Sequence, residues 1–216
     1  EGINHSLELE LQLIVTGMHL SPEFGMTVKT IEADGFSVAR KVEMLLSSDT
    51  PVGLTKSMGL GMIGFADALS DLKPDLILLL GDRYEILAAS SAAMISRIPI
   101  AHLHGGEATE GAIDESIRHS ITKMSHLHFV ATEKYRNRVI QLGEQPENVF
   151  NFGSPSLDNI EKIKLLTKKQ LEKELNLKFN CRNLLITFHP ATLESISATC
   201  QFNELLEALK SLKKTN

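Results

Sequence analysis

Cysteine is scarce in this sequence, because Cys181 and Cys200 are the only two among 216 residues and they form no CxxC pair. Two cysteines cannot build the framework of a disulfide-rich secreted fold. We therefore expect a reducing, cytoplasmic compartment.

Long apolar runs are also missing. The longest are short, such as residues 76–80, whereas a membrane-spanning helix needs about 20 consecutive apolar residues. We therefore expect no transmembrane helix. The sequence begins Glu1-Gly2-Ile3-Asn4, with neither an initiator Met nor a basic-then-apolar leader, so we also expect no signal peptide and a chain that lacks its first element.

An excess of positive charge is absent as well, since 22 Lys and Arg face 27 Asp and Glu for a net charge of −5. This balance disfavours nucleic acid and anionic membranes as partners, so an anionic ligand must be held by local groups. Hydrophobic residues make up 43% and charged residues 23% of the chain, which is ordinary globular usage and excludes a disordered or coiled-coil protein.

What the sequence does contain is an alternation of apolar strands and amphipathic helices. The pattern predicts strands at residues 9–15, 41–46, 76–80, 98–101, 127–131, 149–152 and 183–188, helices at 54–72, 84–96, 113–124, 133–142 and 202–212, and a Lys-rich helical connector at 160–178. The spacing of the strand ends is typical of right-handed crossovers. We therefore predict a doubly wound, parallel, Rossmann-like α/β domain over residues 1–160. Residues 161–216 are predicted to hold a connector and the first βα unit of a second Rossmann-like domain.

Polar turns follow four of the predicted strands. They read Gly81-Asp82-Arg83, His104-Gly105-Gly106-Glu107, Gly153-Ser154-Pro155-Ser156 and His189-Pro190. Ligands of open parallel α/β sheets bind beyond the carboxyl ends of the strands, where these turns should meet. The pattern therefore predicts a catalytic site at the carboxyl edge of the sheet.

Each acidic residue of these turns has a structural alternative. Asp82 opens a helix, so it is either an N-cap or an acid/base facing the crevice. Glu107 follows two glycines that permit positive φ and close approach of a ligand, which favours function. Asp114 and Glu115 open the next helix, where they could simply stabilise its dipole, yet Arg118 and His119 lie four residues further on the same helix.

The histidines divide by position. His102 and His104 alternate at one strand end and should point the same way, whereas His126 and His128 flank the amino end of the next strand and should be structural. Zinc ligation by His102, His104 and Glu107 is conceivable, but without a supporting HxxxH or Cys we expect no metal. His189 is either a phosphate contact or a core histidine.

One glycine motif is misleading. The segment Gly59-Leu60-Gly61-Met62-Ile63-Gly64 fits the dinucleotide fingerprint G-x-G-x-x-G, which must open a helix directly after a strand. These glycines fall inside the predicted helix 54–72, so close helix packing explains them better than NAD does. We therefore expect no cofactor.

Three strings resemble a known family. Residues 80–85 (LGDRYE), 102–129 (HLHGGEATEGAIDESIRHSITKMSHLHF) and 187–190 (TFHP) closely resemble the hydrolysing UDP-N-acetylglucosamine 2-epimerases of bacterial sialic-acid-type sugar biosynthesis. The resemblance covers essentially the whole chain. It implies a two-domain fold of the glycosyltransferase-B type that binds a UDP-sugar between its halves, forms N-acetylmannosamine and UDP, and assembles as a dimer or tetramer.

The resemblance also implies residue roles. A base removes the C2 proton while UDP leaves C1, and water then adds to the glycal-like intermediate with the opposite C2 configuration. Acid/base candidates are Asp82, Glu107 and Asp114. His104 is a further candidate because related enzymes carry Glu there, and His189 should meet the diphosphate. The substrate-binding candidates are Arg83, Gly105, Gly106, Glu115, Arg118, Ser154 and Ser156.

Two other functions remain open. One is the same chemistry on UDP-2,4-diacetamido-2,4,6-trideoxyglucose in legionaminic acid synthesis, because the pocket for C4 and C6 is not legible in the sequence. The other is a non-catalytic nucleotide-sugar-binding module, in which Asp82 and Asp114 would only cap helices.

The resemblance predicts how the 216 residues behave alone. The family has a glycine-arginine turn before the first strand found here and uridine-gripping loops after the last residue. We therefore expect the isolated chain to bind UDP weakly and to be inactive. Isothermal titration with UDP measures this, and micromolar binding would contradict the expectation.

Overall fold

The computed structural model describes residues 2–190 and 196–212, which form two compact units. The first unit contains the residues up to Ala108 together with Asp114–Gly153. The second contains Thr109–Ile113 together with the residues from Ser154 onward. None of the helices in these ranges combines the length and apolar composition that a membrane crossing requires.

The first unit alternates strands and helices along the chain. Its strands are β1 (Leu13–Thr16), β2 (Val38–Val42), β3 (Ile77–Leu80), β4 (Ile100–Leu103), β5 (Leu127–Val130) and β6 (Val149–Asn151). Its helices are α1 (Val28–Ala33), α2 (Pro51–Leu72), α3 (Tyr84–Ile95), α4 (Asp114–Met124) and α5 (Glu133–Gln141). The predicted strand at 41–46 is displaced, because pairing with β1 places it at Val38–Val42.

All strand pairs in this unit are parallel. β1 pairs with β2, and a second sheet has the order β3-β4-β5-β6. Because consecutive strands are neighbours and parallel, the carboxyl ends of β3 to β6 lie along one edge. The parallel α/β architecture is therefore as predicted.

The four-stranded sheet buries one face. Leu79, His102, His128 and Val149 stand in one register row, and all four are buried. On the opposite face of β3, Leu78 and Leu80 are 47% and 58% exposed. The sequence predicted a strand covered on both faces, and this is wrong for β3, because about half of each of these two side chains stays exposed to solvent.

The three glycines that fit a dinucleotide-binding motif lie inside helix α2. Thr50 caps the helix by accepting from the Gly53 N–H, and Pro51 occupies its first turn. A Cβ at Gly61 would lie 2.7 Å from Met44 Cε, and one at Gly64 would lie 2.7 Å from Val42 Cγ1. Close packing therefore favours glycine at both positions, as the sequence indicated, and most strictly at Gly64, where the neighbour is the branched Val42 side chain. Gly59 differs, since a Cβ there meets no atom within 4 Å.

The second unit contains α6 (Pro155–Lys162), α7 (Lys168–Glu174) and α8 (Ala198–Lys210). The predicted strand at 183–188 is wrong, because these residues have no regular structure and Leu185 is 98% exposed. A strand needs a neighbour to accept its hydrogen bonds. The described part of this unit contains no strand that could pair with it.

The packing of α2 predicts opposite effects for two alanine substitutions on one helix. Gly64→Ala should destabilise by about 1–3 kcal/mol, because the new methyl overlaps the stiff, branched Val42 side chain. Gly59→Ala should instead stabilise by about 0.5–1 kcal/mol, because it removes glycine entropy at an exposed helical site. Urea unfolding of both variants measures the difference. Equal effects would show that Gly64 has no packing role.

Candidate active site

The turn after β3 presents Asp82. Gly81 has a φ of +88°, which favours glycine, and Arg83 occupies the N-cap position of α3. The Asp82 carboxylate, partly exposed, accepts a hydrogen bond from the guanidinium of Arg118. Asp82 is therefore not the cap of α3, which was the structural alternative raised by the sequence.

Arg118 joins two of the turns. It projects from α4, is only 3% exposed, and donates from Nη1 to the carbonyl oxygen of Glu107 at 3.0 Å as well as to Asp82. Charged, multiply hydrogen-bonded pairs of this kind are strong and directional. A buried guanidinium thus ties the Asp82 turn to the Glu107 turn.

The turn after β4 contains a histidine–carboxylate pair. His104 Nδ1 lies 2.6 Å from Glu107 Oε1, and both side chains are partly exposed. Since the carboxylate accepts, Nδ1 carries the proton and Nε2 of a neutral ring can take one up. This arrangement orients the imidazole for proton transfer at Nε2.

The two glycines of this turn serve packing. Gly106 has a φ of +78°, and a Cβ there would collide with the Tyr135 carbonyl oxygen and lie 2.9 Å from Val139 Cγ2. A Cβ at Gly105 would lie 3.2 Å from Thr122 Oγ1 and 3.3 Å from His102 Nδ1. The glycines therefore let the turn rest on α5 and on His102, whereas the sequence suggested close approach of a ligand.

Alternation along a strand predicted that His102 and His104 point the same way, and this is wrong. β4 ends at Leu103 and His104 has a φ of +63°, which interrupts the pleat. His102 is buried, and its Nε2 lies 2.9 Å from the Gly81 carbonyl oxygen. Within residues 2–190 and 196–212, no three His, Cys, Asp or Glu side chains are grouped to hold a metal ion.

The remaining candidates of the first unit lie on the helix that carries Arg118. α4 begins at Asp114, and both Asp114 and Glu115 are partly buried. Glu115 Oε1 lies 3.6 Å from His119 Nε2, one turn along the helix. Direct bonds thus join Asp82, Arg118, Glu107 and His104, and Asp114 and Glu115 lie on the same helix as Arg118.

Residues 1–216 match the family model described as UDP-N-acetylglucosamine 2-epimerase. The chain belongs to this family. It is 48% identical over 214 residues to the GDP/UDP-N,N'-diacetylbacillosamine 2-epimerase (hydrolyzing) of Campylobacter jejuni, covering 99% of this chain and 56% of that protein. It is 41% identical over 209 residues to the polysialic acid biosynthesis protein P7 of Escherichia coli, covering 97% and 53%.

A solved structure supports the fold. The UDP-GlcNAc 2-epimerase from Neisseria meningitidis, determined bound to UDP-GlcNAc, aligns with a TM-score of 0.82 and 22% identity over 100% of this chain and 59% of that one. This confirms the predicted α/β fold class of glycosyltransferase-B-type epimerases. The chain spans about half the length of the curated relatives it matches.

Three predicted site residues of this family member lie in the second unit. Ser154 and Ser156 place their hydroxyl oxygens 2.7 Å apart, and His189 is exposed next to Phe188, whose ring packs on Phe202 at 5.5 Å. Their participation in the site remains a prediction.

The turn after β1 was missed by the sequence reasoning. Arg83 Nη2 lies 3.9 Å from Met18 Sδ, and Gly17 packs so closely on Glu85 that a Cβ would lie 3.0 Å from its Oε1. This turn therefore contacts the Asp82 segment. The available signal was a glycine just beyond a predicted strand, since Gly17 follows the strand predicted at 9–15 by two residues. A cavity of about 260 Å³ adjoins the turn, lined by Gly17, Leu20, Ser21, Pro22, Glu23, Glu43, Met44, Leu45 and Ser47.

Two buried histidines of the first unit have a lowered pKa, so their protonation is unfavourable. Burial lowers the pKa of His102 from 6.5 to about 4 despite its bond to the Gly81 carbonyl, and burial also lowers the pKa of His128 although Glu144 opposes the shift. His128 lies 3.2 Å from Glu144, and His126 accepts from the Ile100 N–H at 3.3 Å, which fits the structural roles predicted for this pair.

These pKa shifts predict a loss of stability in acid. The unfolded chain binds more protons than the folded one between pH 6.5 and about 4, so stability falls as the pH falls through that window, by about 3 kcal/mol for His102. In His102→Gln this contribution should vanish while that of His128 remains. Denaturant unfolding of both proteins from pH 7 to 4 gives the difference in slope. Parallel curves would show that His102 titrates normally.

Proposed function

We propose that the protein carrying this sequence is a hydrolysing 2-epimerase of a UDP-2-acetamido sugar, releasing UDP and the C2-inverted free sugar. The observation that carries the proposal is the bonded group Asp82, Arg118, Glu107 and His104 at the carboxyl edge of β3 and β4, in a member of the epimerase family. This group supplies two separate acid/base centres on two neighbouring turns.

The chemistry requires both centres. Removal of the C2 proton leaves an electron pair that forms the C1=C2 bond while the C1–O bond breaks and UDP departs. Water then adds its oxygen to C1, and C2 receives a proton on the face opposite the one that lost it. Inversion therefore needs one group on each face of the sugar ring. The His104–Glu107 pair and Asp82 are the groups that we assign to this exchange.

The surroundings suit these roles. Glu107 orients the His104 ring, so that Nε2 can accept and return a proton. Arg118 fixes the direction of the Asp82 carboxylate from a buried position. Arg83, Asp114 and Glu115 are proposed to contact the substrate. Ser154, Ser156 and His189 are proposed to meet the diphosphate, whose departure a hydrogen-bond donor would assist.

Two substrates fit the proposal. The first is UDP-N-acetylglucosamine, which would give N-acetylmannosamine for sialic acid synthesis. The second is UDP-2,4-diacetamido-2,4,6-trideoxyglucose, and the names of two relatives favour it: the Campylobacter jejuni protein at 48% identity and a Legionella pneumophila UDP-N,N'-diacetylbacillosamine 2-epimerase (hydrolyzing) at 38%. The Neisseria meningitidis serogroup B protein named UDP-N-acetylglucosamine 2-epimerase is 36% identical. We therefore favour the diacetamido sugar.

The reaction predicts a solvent isotope signature. Incubation with each UDP-sugar in deuterium oxide should release UDP and a free sugar that carries deuterium at C2, because C2 is reprotonated from solvent. Proton NMR of the product mixture identifies the sugar and the label. Binding of UDP-sugar without release of UDP would instead indicate a non-catalytic binding module.

The role of Asp82 predicts a large kinetic loss. Asp82→Asn should lower kcat by about 10²–10⁴-fold with a modest loss of UDP affinity, as expected for an acid/base group. The matched control is Asp67→Asn on the exposed side of α2. Because the substitution also removes the charge that faces buried Arg118, thermal unfolding is measured in parallel. A folded Asp82→Asn protein with normal turnover would remove Asp82 from the mechanism.

A further inference from the structure

A buried imidazole lies beneath both turns of the candidate active site. His102 stands on β4 with no exposed surface, and its Nε2 lies 2.9 Å from the carbonyl oxygen of Gly81, the residue before Asp82. Its other nitrogen, Nδ1, lies 3.3 Å from the hydroxyl of Thr122 on α4, which is also fully buried. His102 therefore links β4, the Asp82 turn and α4.

The Glu107 turn rests on the same pair. Gly105 approaches Thr122 Oγ1 and His102 Nδ1 so closely that a Cβ would lie 3.2 and 3.3 Å from them. Such distances are tighter than ordinary van der Waals contact, so only glycine fits without displacement. A change in the His102–Thr122 pair would thus be transmitted to both turns that carry acid/base candidates.

The bonds fix the tautomer of His102. A carbonyl oxygen can only accept, so Nε2 must carry the proton that binds Gly81. Nδ1 is then an acceptor, and the Thr122 hydroxyl donates to it. Burial disfavours the charged ring, which is consistent with a pKa of about 4 and a neutral imidazole at physiological pH.

The Asp82 turn also bonds to β4 through the backbone of Gly81. The Gly81 N–H reaches the Leu103 carbonyl oxygen at 3.4 Å, a long hydrogen bond, and Gly81 itself has a φ of +88°. Glycine is the most flexible residue in the backbone. The 2.9 Å hydrogen bond that His102 donates to Gly81 is shorter than this one, and it acts on the peptide group that leads into Asp82.

We propose that His102 is a positioning residue for the proposed epimerase reaction: oriented by the Thr122 hydroxyl, it donates from Nε2 to the Gly81 carbonyl and so aims the Asp82 carboxylate. The proposal rests on the proposed function. His102 itself touches neither substrate nor reacting atoms in this scheme. Its effect is expected in kcat, because a small displacement of a catalytic group costs much rate and little affinity.

Variants at both ends of the Thr122–His102 bond test the proposal in the protein that carries this sequence. His102→Leu should lower kcat by about 10²-fold with less than about threefold change in KM. His102→Gln retains an N–H donor and should recover kcat to within about tenfold of wild type. Thr122→Val removes the donor to Nδ1 that orients the ring and should lower kcat by about tenfold, whereas Thr122→Ser keeps the hydroxyl and should match wild type.

Two further readouts separate positioning from a merely structural role. In the Asp82→Asn background, His102→Leu should cause no additional loss of kcat, because both changes act through one group. Nitrogen-15 NMR of the imidazole should show the neutral Nε2–H tautomer. A wild-type kcat in folded His102→Leu, an undiminished loss in the Asp82→Asn background, or the Nδ1–H tautomer would each overturn the proposal.

These outcomes are distinct from failure of the proposed function. If the wild-type protein turns over neither UDP-sugar, the proposed epimerase function is wrong, whatever the variants show. The tautomer of His102 is read without turnover and would still decide whether the hydrogen bond to Gly81 exists. If His102→Leu does not fold, the comparison of Thr122→Val with Thr122→Ser provides the kinetic test.

Discussion

The buried guanidinium of Arg118 is the constraint on which the candidate site depends. A charge this deeply buried is tolerated only when it is paired and its donors are satisfied, and Arg118 meets both conditions with the Asp82 carboxylate and the Glu107 carbonyl. Because the three groups come from α4 and from the turns after β3 and β4, their pairing also fixes the separation of the two turns. Removing the guanidinium would leave a partly buried carboxylate without its counter-charge.

The sequence was informative where a feature depends on local order. Periodicity located β3 to β6 and the helices between them, and parallel strands then placed Asp82, His104 and Glu107 on one edge. The glycine motif at residues 59–64 could be rejected as a dinucleotide site on the same grounds, because the helical periodicity of residues 54–72 includes it. These inferences need only the chain direction and the spacing of apolar residues.

The sequence failed where the outcome depends on a partner in space. The apolar run at 183–188 has the composition of a buried strand, but composition does not supply a neighbouring strand. Leu78 and Leu80 show the same limit, since burial of the second face of β3 depends on residues that cover it. The pairing of Arg118 with Asp82 also could not be predicted, because 36 residues separate them along the chain. Gly105 and Gly106 were noticed, yet whether ligand or protein fills the space beside them depends on α5 and Thr122.

The two anchors of Asp82 differ in physical kind, which makes their contributions separable. Arg118 acts on the carboxylate, so its loss changes both the charge that the carboxylate meets and its orientation. His102 acts on the peptide group before Asp82 and stays neutral, so its loss changes orientation alone. A defect caused by misplacement alone should be relieved by a neutral side chain that restores the donor, as in His102→Gln, whereas no neutral side chain restores the charge that Arg118 presents to the carboxylate. Neutral replacements that keep a hydrogen-bond donor therefore distinguish the two anchors even where their effects on rate are equal.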